Sequence, residues 1–364
     1  RQRPGAAAAR ARGRGMRRRS ELALLLVHLS QATYKGFINP LKQYNPENGG
    51  ILWLNISDSE PAQELLWAIE DFDRNLEAYL GNVGSLARHR VGSARCQPTA
   101  VDTQNLWPTA ERLQRAGFAL SGRYVNVGAA DGQKDDPVYE YAVRTNATGI
   151  AVERDPARCA LHRQALPLVH VECSEVTPQN VEQLVAGAMA PSAMLDILKV
   201  DIDSYDCPVL EVLLRTLTAK IILVEANPSI PPPYQWAMLH HPELWDFFNG
   251  FSDPKEVPIR GCSLAYEVDL LRRAGYDFVA FGGHDAVFTH QSVRSAWHPL
   301  EPPMDEFDCY LEAFIAANGI PISLTRRWFF ELNDTQQALP EIWDFFVGWM
   351  QKHAPRLFPF ALRG

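Results

Sequence analysis

From Tyr124 onwards, short runs rich in Val, Ile and Leu alternate with stretches of helical periodicity. The runs predict strands at residues 124–127, 148–153, 168–172, 194–201 and 220–225, and the most helix-like connections lie at 178–189 and 207–217. This alternation is typical of βαβ units built around a parallel sheet. We therefore predict an α/β fold with a Rossmann-like, mostly parallel sheet and flanking helices.

Helical periodicity also marks both flanks of this region. Upstream, apolar residues recur at helical spacing over residues 59–80, and residues 109–117 predict another short helix; beyond about Trp297 the period returns to 3.6. We predict four segments, which are a leader at 1–33, a helical region at 34–120, the α/β domain at 121–295 and a helical extension at 296–364.

The balance of charge and hydropathy excludes two classes of protein. Hydrophobic residues make up 46% of the 364 residues, which is enough for a substantial core. Eight arginines precede the first acidic residue, and the 345 residues after Arg19 carry 27 basic against 43 acidic residues. A face that binds nucleic acid needs more basic density than this, and no apolar run reaches the roughly 18 residues of a spanning helix. We predict neither a nucleic-acid partner nor a membrane span.

The N-terminal segment begins with low-complexity Ala, Arg and Gly. With Met16 as the start, residues 17–19 form a basic region, residues 22–29 a short apolar region and residues 30–32 a small-x-small cleavage site, as in a secretory signal. An organelle transit peptide or a basic tail fits the same composition, so we assign no compartment. The sequons at Asn55, Asn146 and Asn333 matter only for a secreted chain.

Six cysteines are scattered along the chain without a C-x-x-C pair. This spacing predicts neither a zinc site nor a small disulfide framework. We interpret them mostly as buried thiols of the core.

A glycine-rich turn follows the first predicted strand, with the sequence V-N-V-G-A-A-D-G at 125–132. Glycines at the carboxyl end of a strand let the chain turn sharply and let a ligand approach the backbone. The spacing is not G-x-G-x-x-G, and Asp131 would repel a phosphate, which disfavours a dinucleotide. Glu153 ends the next strand 25 residues after Gly128, close to the ~20 at which a carboxylate meets ribose hydroxyls. Together these features favour a nucleoside-bearing cofactor.

Acidic residues follow the fourth and fifth predicted strands. Asp201 and Asp203 are two residues apart and therefore point the same way, and Glu225 and Asn227 repeat this spacing. Ligands of open α/β sheets bind at this edge. These acids could serve as a general base, as a substrate clamp or as a site for Mg²⁺, Mn²⁺ or Ca²⁺. Of these three roles, we do not favour the metal site.

Four motifs in sequence order resemble those of the FkbM-like branch of S-adenosylmethionine-dependent methyltransferases. They are V-N-V-G-A-A-D-G at 125–132, A-V-E-R-D-P at 151–156, L-K-V-D-I-D-S-Y-D at 198–206 and V-E-A-N-P at 224–228. The segments at 261–276 and 285–289 resemble that family's last helix and closing hairpin. The resemblance spans about 122–290 and implies a class I methyltransferase fold. One departure is D-I-D-S at 201–204, where the family more usually has D-V-E-G.

The resemblance implies a role for each matching position. It places Glu153 at the ribose of the cofactor, Glu172 and Cys173 beside the adenine, and Asp201 at the end of its strand. It also implies that the loop after the first strand surrounds the methionine end of the cofactor, through Asn126, Gly128, Ala130, Asp131 and Gly132. A hydroxyl nucleophile needs a base, for which Asp203 is our first choice and His284 our second. Glu225 and Asn227 are predicted to lie on the substrate side.

We therefore predict an S-adenosylmethionine-dependent O-methyltransferase acting on a small-molecule or glycan hydroxyl. The alternatives are a catalytically silent Rossmann-like binding module and a nucleotide-dependent oxidoreductase, against which the missing G-x-G-x-x-G argues. We predict no particular oligomeric state.

Overall fold

The computed structural model describes residues 42–44, 51–53, 101–134, 136–188, 194–251, 257–282, 284–297, 306–313, 324–325, 327–331 and 335–363. The chain divides into two compact units, residues 1–63 and 64–364. In the first unit, β1 (Lys42–Tyr44) pairs antiparallel with β2 (Ile51–Trp53). The predicted leader, the predicted helix at 59–80 and the sequons at Asn55 and Asn333 lie outside the described residues.

The second unit contains the predicted βαβ region. Its strands are β3 (Arg123–Val127), β4 (Thr148–Glu153), β5 (His170–Cys173), β6 (Leu195–Val200), β7 (Ala219–Glu225), β8 (Gln235–Met238), β9 (Tyr276–Gly282), β10 (Asp285–His290) and β11 (Phe360–Arg363). Its α-helices are α1 (Trp107–Arg115), α2 (Tyr139–Thr145), α3 (Pro156–Ala165), α4 (Val181–Leu184), α5 (Asp206–Leu213), α6 (Leu244–Phe248), α7 (Leu264–Arg273), α8 (Glu306–Ala313) and α9 (Thr335–His353). Short 3₁₀ turns occupy Ala186–Ala188 and Gln291–Ala296, and a π-helical turn occupies Arg327–Glu331.

Seven strands form one sheet in the order β5-β4-β3-β6-β7-β10-β9. Within this sheet, the five adjacent strands from β5 to β7 run parallel to one another. Strand β10 runs antiparallel to both β7 and β9. Strands β8 and β11 form a separate antiparallel pair. The prediction of a mostly parallel α/β sheet with flanking helices is confirmed.

Apolar side chains fill both faces of the large sheet. Because side chains alternate along a strand, Val125 and Leu198 enter one layer, while Tyr124 and Ile197 enter the opposite layer. Strand β6 is buried along its whole length. Burial on both faces explains why the parallel strands read as near-continuous apolar runs. Among the described residues, no helix combines the length and apolarity needed to cross a bilayer.

The cysteines correct one expectation. Cys159 of α3 is bonded to Cys173 of β5, and Cys207 of α5 is bonded to Cys262, with Cα–Cα distances of 5.9 and 6.0 Å. Cys309 is disulfide-bonded as well. The interpretation as core thiols is therefore wrong for these five residues. The two bonds described span 14 and 55 residues, so a search for C-x-x-C pairs could not reveal them.

Candidate functional site

The strand order reverses between β3 and β6, which lie side by side although they are far apart in sequence. Ligands of open α/β sheets bind outside the carboxyl ends of the strands at such a reversal. We call this region, where β3, β4, β6 and β7 end, the carboxyl edge. Most of the predicted site residues follow these four strands.

The loop after β3 is fastened to the end of β4 through Glu153. One carboxylate oxygen of Glu153 accepts a hydrogen bond from the Ala130 amide at 2.9 Å, and the other accepts from the Asp155 amide at 2.8 Å. Ala130 has φ +48°, a left-handed conformation that costs energy for a residue with a side chain. The two strand ends predicted to hold the cofactor are therefore held together directly.

Two glycines of this loop are required by close packing within the protein. A Cβ atom on Gly128 would lie 1.6 Å from the Asp201 carbonyl oxygen, and one on Gly132 would lie 2.4 Å from the His162 ring. Both glycines also have positive φ, at +78° and +72°. We expected a ligand to need the space at Gly128, whereas the backbone of Asp201 occupies it.

Asn126 lies beneath the loop and is fully buried. Its Nδ2 donates to Asp136 at 3.1 Å, while its Oδ1 has no hydrogen-bond partner among the described residues. A buried polar oxygen without a partner is costly in a folded protein. This oxygen is therefore an unsatisfied acceptor beneath the loop after β3.

Lys199 is a site residue that the sequence reasoning missed. Its side chain is only 5% exposed, and its Nζ donates to the Gly128 carbonyl at 3.0 Å and pairs with Asp201 at 2.9 Å. Burial alone would lower the pKa of Lys199, but the carboxylates of Asp201 and Asp136 raise the pKa above its ordinary value, so the amine stays charged. A lysine inside an apolar strand is a signal that could have revealed it, because buried lysines are almost always paired.

Three carboxylates meet just beyond Lys199. One oxygen from each of Asp201, Asp203 and Glu225 lies within 4.8 Å of the others. Asp203 adopts φ +58°, and Arg260 donates to its carboxylate at 3.2 Å. The predicted convergence of these acids therefore holds in the structure, and Arg260 is a further residue that the sequence reasoning missed.

The crowding of these acids changes their titration. Desolvation and the charge of Asp201 raise the pKa of Asp203, and desolvation and the charge of Asp203 raise the pKa of Glu225 well above its ordinary value. Two neighbouring acids follow the same pattern, since desolvation raises the pKa of Asp206 to about 7 and that of Asp285 to about 7. Asp206 and Asp285 can therefore accept or release a proton near neutral pH.

The three carboxylates offer oxygen ligands of the kind that Mg²⁺ or Ca²⁺ prefers. Lys199 already pairs with Asp201, and Arg260 already pairs with Asp203. Because these two cations balance two of the three carboxylates, we do not favour a metal at this position.

The remaining predicted residues lie around this centre. Glu172 is partly exposed and pairs with His170 at 2.7 Å, and Cys173 is the exposed end of a disulfide. Asp131 accepts hydrogen bonds from the Gln133 and Lys134 amides, which closes a local turn. None of these contacts tests the cofactor-binding roles predicted for Glu172, Cys173 and Asp131, which stay predictions.

His284 and Asn227 both lie beside the end of β7. The His284 carbonyl accepts from the Ala226 amide at 2.6 Å, and the His284 side chain is 7% exposed. The Asn227 amide donates to the carbonyls of Pro258 and Arg260, each at 3.0 Å. Asn227 thus holds the backbone of the segment that carries Arg260.

No protein-family model matches this chain, and no curated protein matches it in sequence. Among solved structures it is similar to a TehB-like SAM-dependent methyltransferase from Corynebacterium glutamicum (13% identity, 64% of this chain and 100% of that chain, TM-score 0.28). It is also similar to CalS10, a SAM-bound amino pentose methyltransferase from Micromonospora echinaspora (13% identity, 56% and 95%, TM-score 0.30). A third is a SAM-dependent methyltransferase from Thiobacillus denitrificans in complex with S-adenosyl-L-homocysteine (13% identity, 50% and 66%, TM-score 0.29).

These likenesses are too loose to support any conclusion about chemistry, so the fold assignment rests on the strand order. Five parallel strands in the order β5-β4-β3-β6-β7, extended by the antiparallel β10 and then β9, make up the sheet of the class I methyltransferase fold. The predicted fold class is confirmed.

Proposed function

We propose that this protein is an S-adenosylmethionine-dependent methyltransferase that methylates a hydroxyl oxygen of a small molecule or glycan. The observation that carries the proposal is the convergence at the carboxyl edge of the loop after β3, Glu153 and the pair Asp203 and Glu225. The first two provide the groups that a nucleoside-bearing cofactor needs. The acid pair provides a proton acceptor beside them.

The residues present fit the cofactor. The unpartnered Oδ1 of Asn126 can accept from an ammonium group. Each oxygen of Glu153 accepts one backbone hydrogen bond and can accept a second, which suits a pair of ribose hydroxyls.

When bound, S-adenosylmethionine supplies an electrophilic methyl group on a sulfonium. The protein has to orient the acceptor hydroxyl in line with that group and remove its proton. Asp203 would accept the proton of the acceptor hydroxyl, whose oxygen would take the methyl group as the carbon–sulfur bond of the sulfonium breaks and S-adenosylhomocysteine leaves. Arg260 donates a hydrogen bond to the Asp203 carboxylate, and Glu225 lies beside it.

The four sequence motifs support assignment of the chain to the FkbM-like branch. The second acid of the usual D-V-E-G is retained as Asp203, one methylene shorter than glutamate. The left-handed backbone at Asp203 changes the direction of its side chain, which would offset the shorter reach toward the carboxyl edge. The disulfides support an oxidising compartment, because such bonds are rare in the cytosol.

Methyl transfer to an acceptor hydroxyl tests the proposal. We expect wild-type protein to transfer label from S-adenosyl-[methyl-³H]methionine to an oxygen, with the O-methyl product identified by mass spectrometry. We expect Asp203→Asn to lower turnover by roughly 10²–10⁴-fold and to leave cofactor affinity within a few-fold. Activity that depends on added Mg²⁺ and disappears with a chelator would instead make the acids metal ligands. Stabilisation by NAD or NADP, and not by S-adenosylmethionine, would support the oxidoreductase alternative.

A further inference from the structure

A small pocket is lined in part by Asp203. It has a volume of about 70 Å³ and is lined by Asp203, Arg260, Asn249, Trp245, Phe248 and Val257. Trp245 and Phe248 belong to α6, and Asp203 and Arg260 form the ion pair already described. The predicted base thus forms one wall of the pocket.

The size of the pocket limits what enters it. A cavity of about 10–15 Å³ holds one water molecule, so this pocket has room for a few of them. It admits one or two hydroxyl groups with the carbons that carry them. A whole sugar chain is larger than this, so the rest of such an acceptor would stay outside.

The walls of the pocket differ in chemistry. The Asp203, Arg260 and Asn249 side is polar, and the side made by Trp245 and Phe248 is aromatic. A sugar ring has the matching pattern, because hydroxyls project from its edge and C–H groups cover its face. Aromatic residues that combine apolar area with few rotatable bonds are suited to such a surface.

The Trp245 ring contacts Arg154, which follows the predicted ribose-binding residue Glu153. The Arg154 guanidinium lies over the indole ring at 4.1 Å from its centroid, and Arg154 directly follows Glu153 at the end of β4. A cation over an aromatic ring at this distance is attracted to it. The indole therefore links the predicted ribose-binding strand end to the pocket.

The charged groups around the pocket nearly balance. Asp201, Asp203 and Glu225 supply three acids, against which stand Lys199 and Arg260, each paired with an aspartate, and Arg154 over the Trp245 ring. A site without net positive charge gives an incoming phosphate or carboxylate no net attraction, so a neutral acceptor is the better match.

We infer, on the basis of the proposed function, that the pocket is an acceptor subsite for one hydroxyl of a neutral sugar, which stacks on the face of the Trp245 ring opposite Arg154. The sugar is the end or edge of a larger glycan, since its body lies outside the pocket.

The experiment uses the full chain, S-adenosyl-[methyl-³H]methionine and named probes. These are the methyl glycosides of mannose, galactose, fucose and xylose, with mannose 6-phosphate as the anionic comparison. We expect transfer to at least one neutral glycoside and not to the phosphate. We expect Trp245→Ala to raise KM for that glycoside by about tenfold or more, Trp245→Phe to restore much of the loss, and S-adenosylhomocysteine affinity to change less than about threefold. Trp343→Ala, which removes a half-exposed indole of α9, is the matched control and should leave KM unchanged.

The outcomes separate this inference from the function on which it rests. Wild-type protein that binds S-adenosylhomocysteine but methylates only phosphorylated or non-sugar hydroxyls overturns the sugar subsite and leaves the methyltransferase proposal standing. The same holds if Trp245→Ala leaves KM for a methylated glycoside unchanged. Protein that binds no S-adenosylhomocysteine overturns the proposed function itself.

Discussion

Aspartates lie near both ends of strand β6, and they differ in their hydrogen-bond partners and in their pKa values. At the amino end, Asp196 is fully buried and accepts hydrogen bonds from Ser121 Oγ at 3.0 Å, the Gly122 amide at 2.8 Å and Tyr141 Oη at 2.6 Å, as well as from Lys220. At the carboxyl end, acids crowd one another, Asp203 has a left-handed backbone, and the pKa values of Asp203 and Glu225 are raised.

The difference distinguishes an acid that stabilises the fold from acids that are available for chemistry. Asp196 has donors on both oxygens, and each of those donors would lose a partner without it. Asp203 shares its surroundings with other acids and keeps the capacity to take up a proton. Strain and perturbed pKa values of this kind concentrate at functional sites.

The largest effect on stability is expected from Asp196→Ala. The change leaves Lys220 and three other donors without their acceptor in a buried setting, and breaking a buried pair costs about 3–5 kcal/mol. Urea unfolding followed by circular dichroism measures the loss. Asp269→Ala, which removes an exposed partner of Arg273, is the control and should cost under about 1 kcal/mol. Equal losses for the two variants would contradict a structural role for Asp196.

A smaller effect of opposite sign is expected from Asp285→Asn at the carboxyl edge. The pKa of Asp285 is raised to about 7 by desolvation and then by Asp201, so its favourable contribution is present below its ordinary pKa and is lost as the pH rises through 7. The neutral amide keeps an acceptor for Gln104 and has no charge to desolvate. We expect the variant to match wild type near pH 4 and to be more stable at pH 8 by on the order of 1 kcal/mol.

Urea unfolding at the two pH values measures this change. Asp344→Asn, at an exposed position of α9, is the matched control and should show no such difference between the two pH values. An Asp285→Asn variant less stable than wild type at pH 8 would mean that the carboxylate stabilises the fold, as Asp196 does.

Features that depend on local sequence signals could be predicted from the sequence. Strand β4 was predicted with its observed bounds and β3 to within one residue, because their apolar runs are local signals. The meeting of Asp201, Asp203 and Glu225 followed from the rule that parallel strands end at one edge. The helix predicted at 178–189 is shorter in the structure, where α4 ends at Leu184 and a 3₁₀ turn follows.

The sequence did not reveal contacts between distant segments. The pair Arg260 and Asp203 spans 57 residues, and the disulfide between Cys207 and Cys262 spans 55. Neither contact follows from periodicity, because each depends on how the segment around 257–263 packs on the sheet. Lys199 is different, since its charge inside an apolar strand was visible and its partner Asp201 is only two residues away.

The central prediction is that the carboxyl edge binds S-adenosylmethionine through Glu153. Calorimetric titration with S-adenosylhomocysteine tests it, using wild type, Glu153→Ala and the control Glu182→Ala, which changes an exposed residue of α4. We predict binding by wild type and by the control, and a loss of about 1–3 kcal/mol of binding free energy in Glu153→Ala, because charge-assisted hydrogen bonds to the ribose are removed. Binding by a folded Glu153→Ala with wild-type affinity, or no binding by wild type, would contradict the claim.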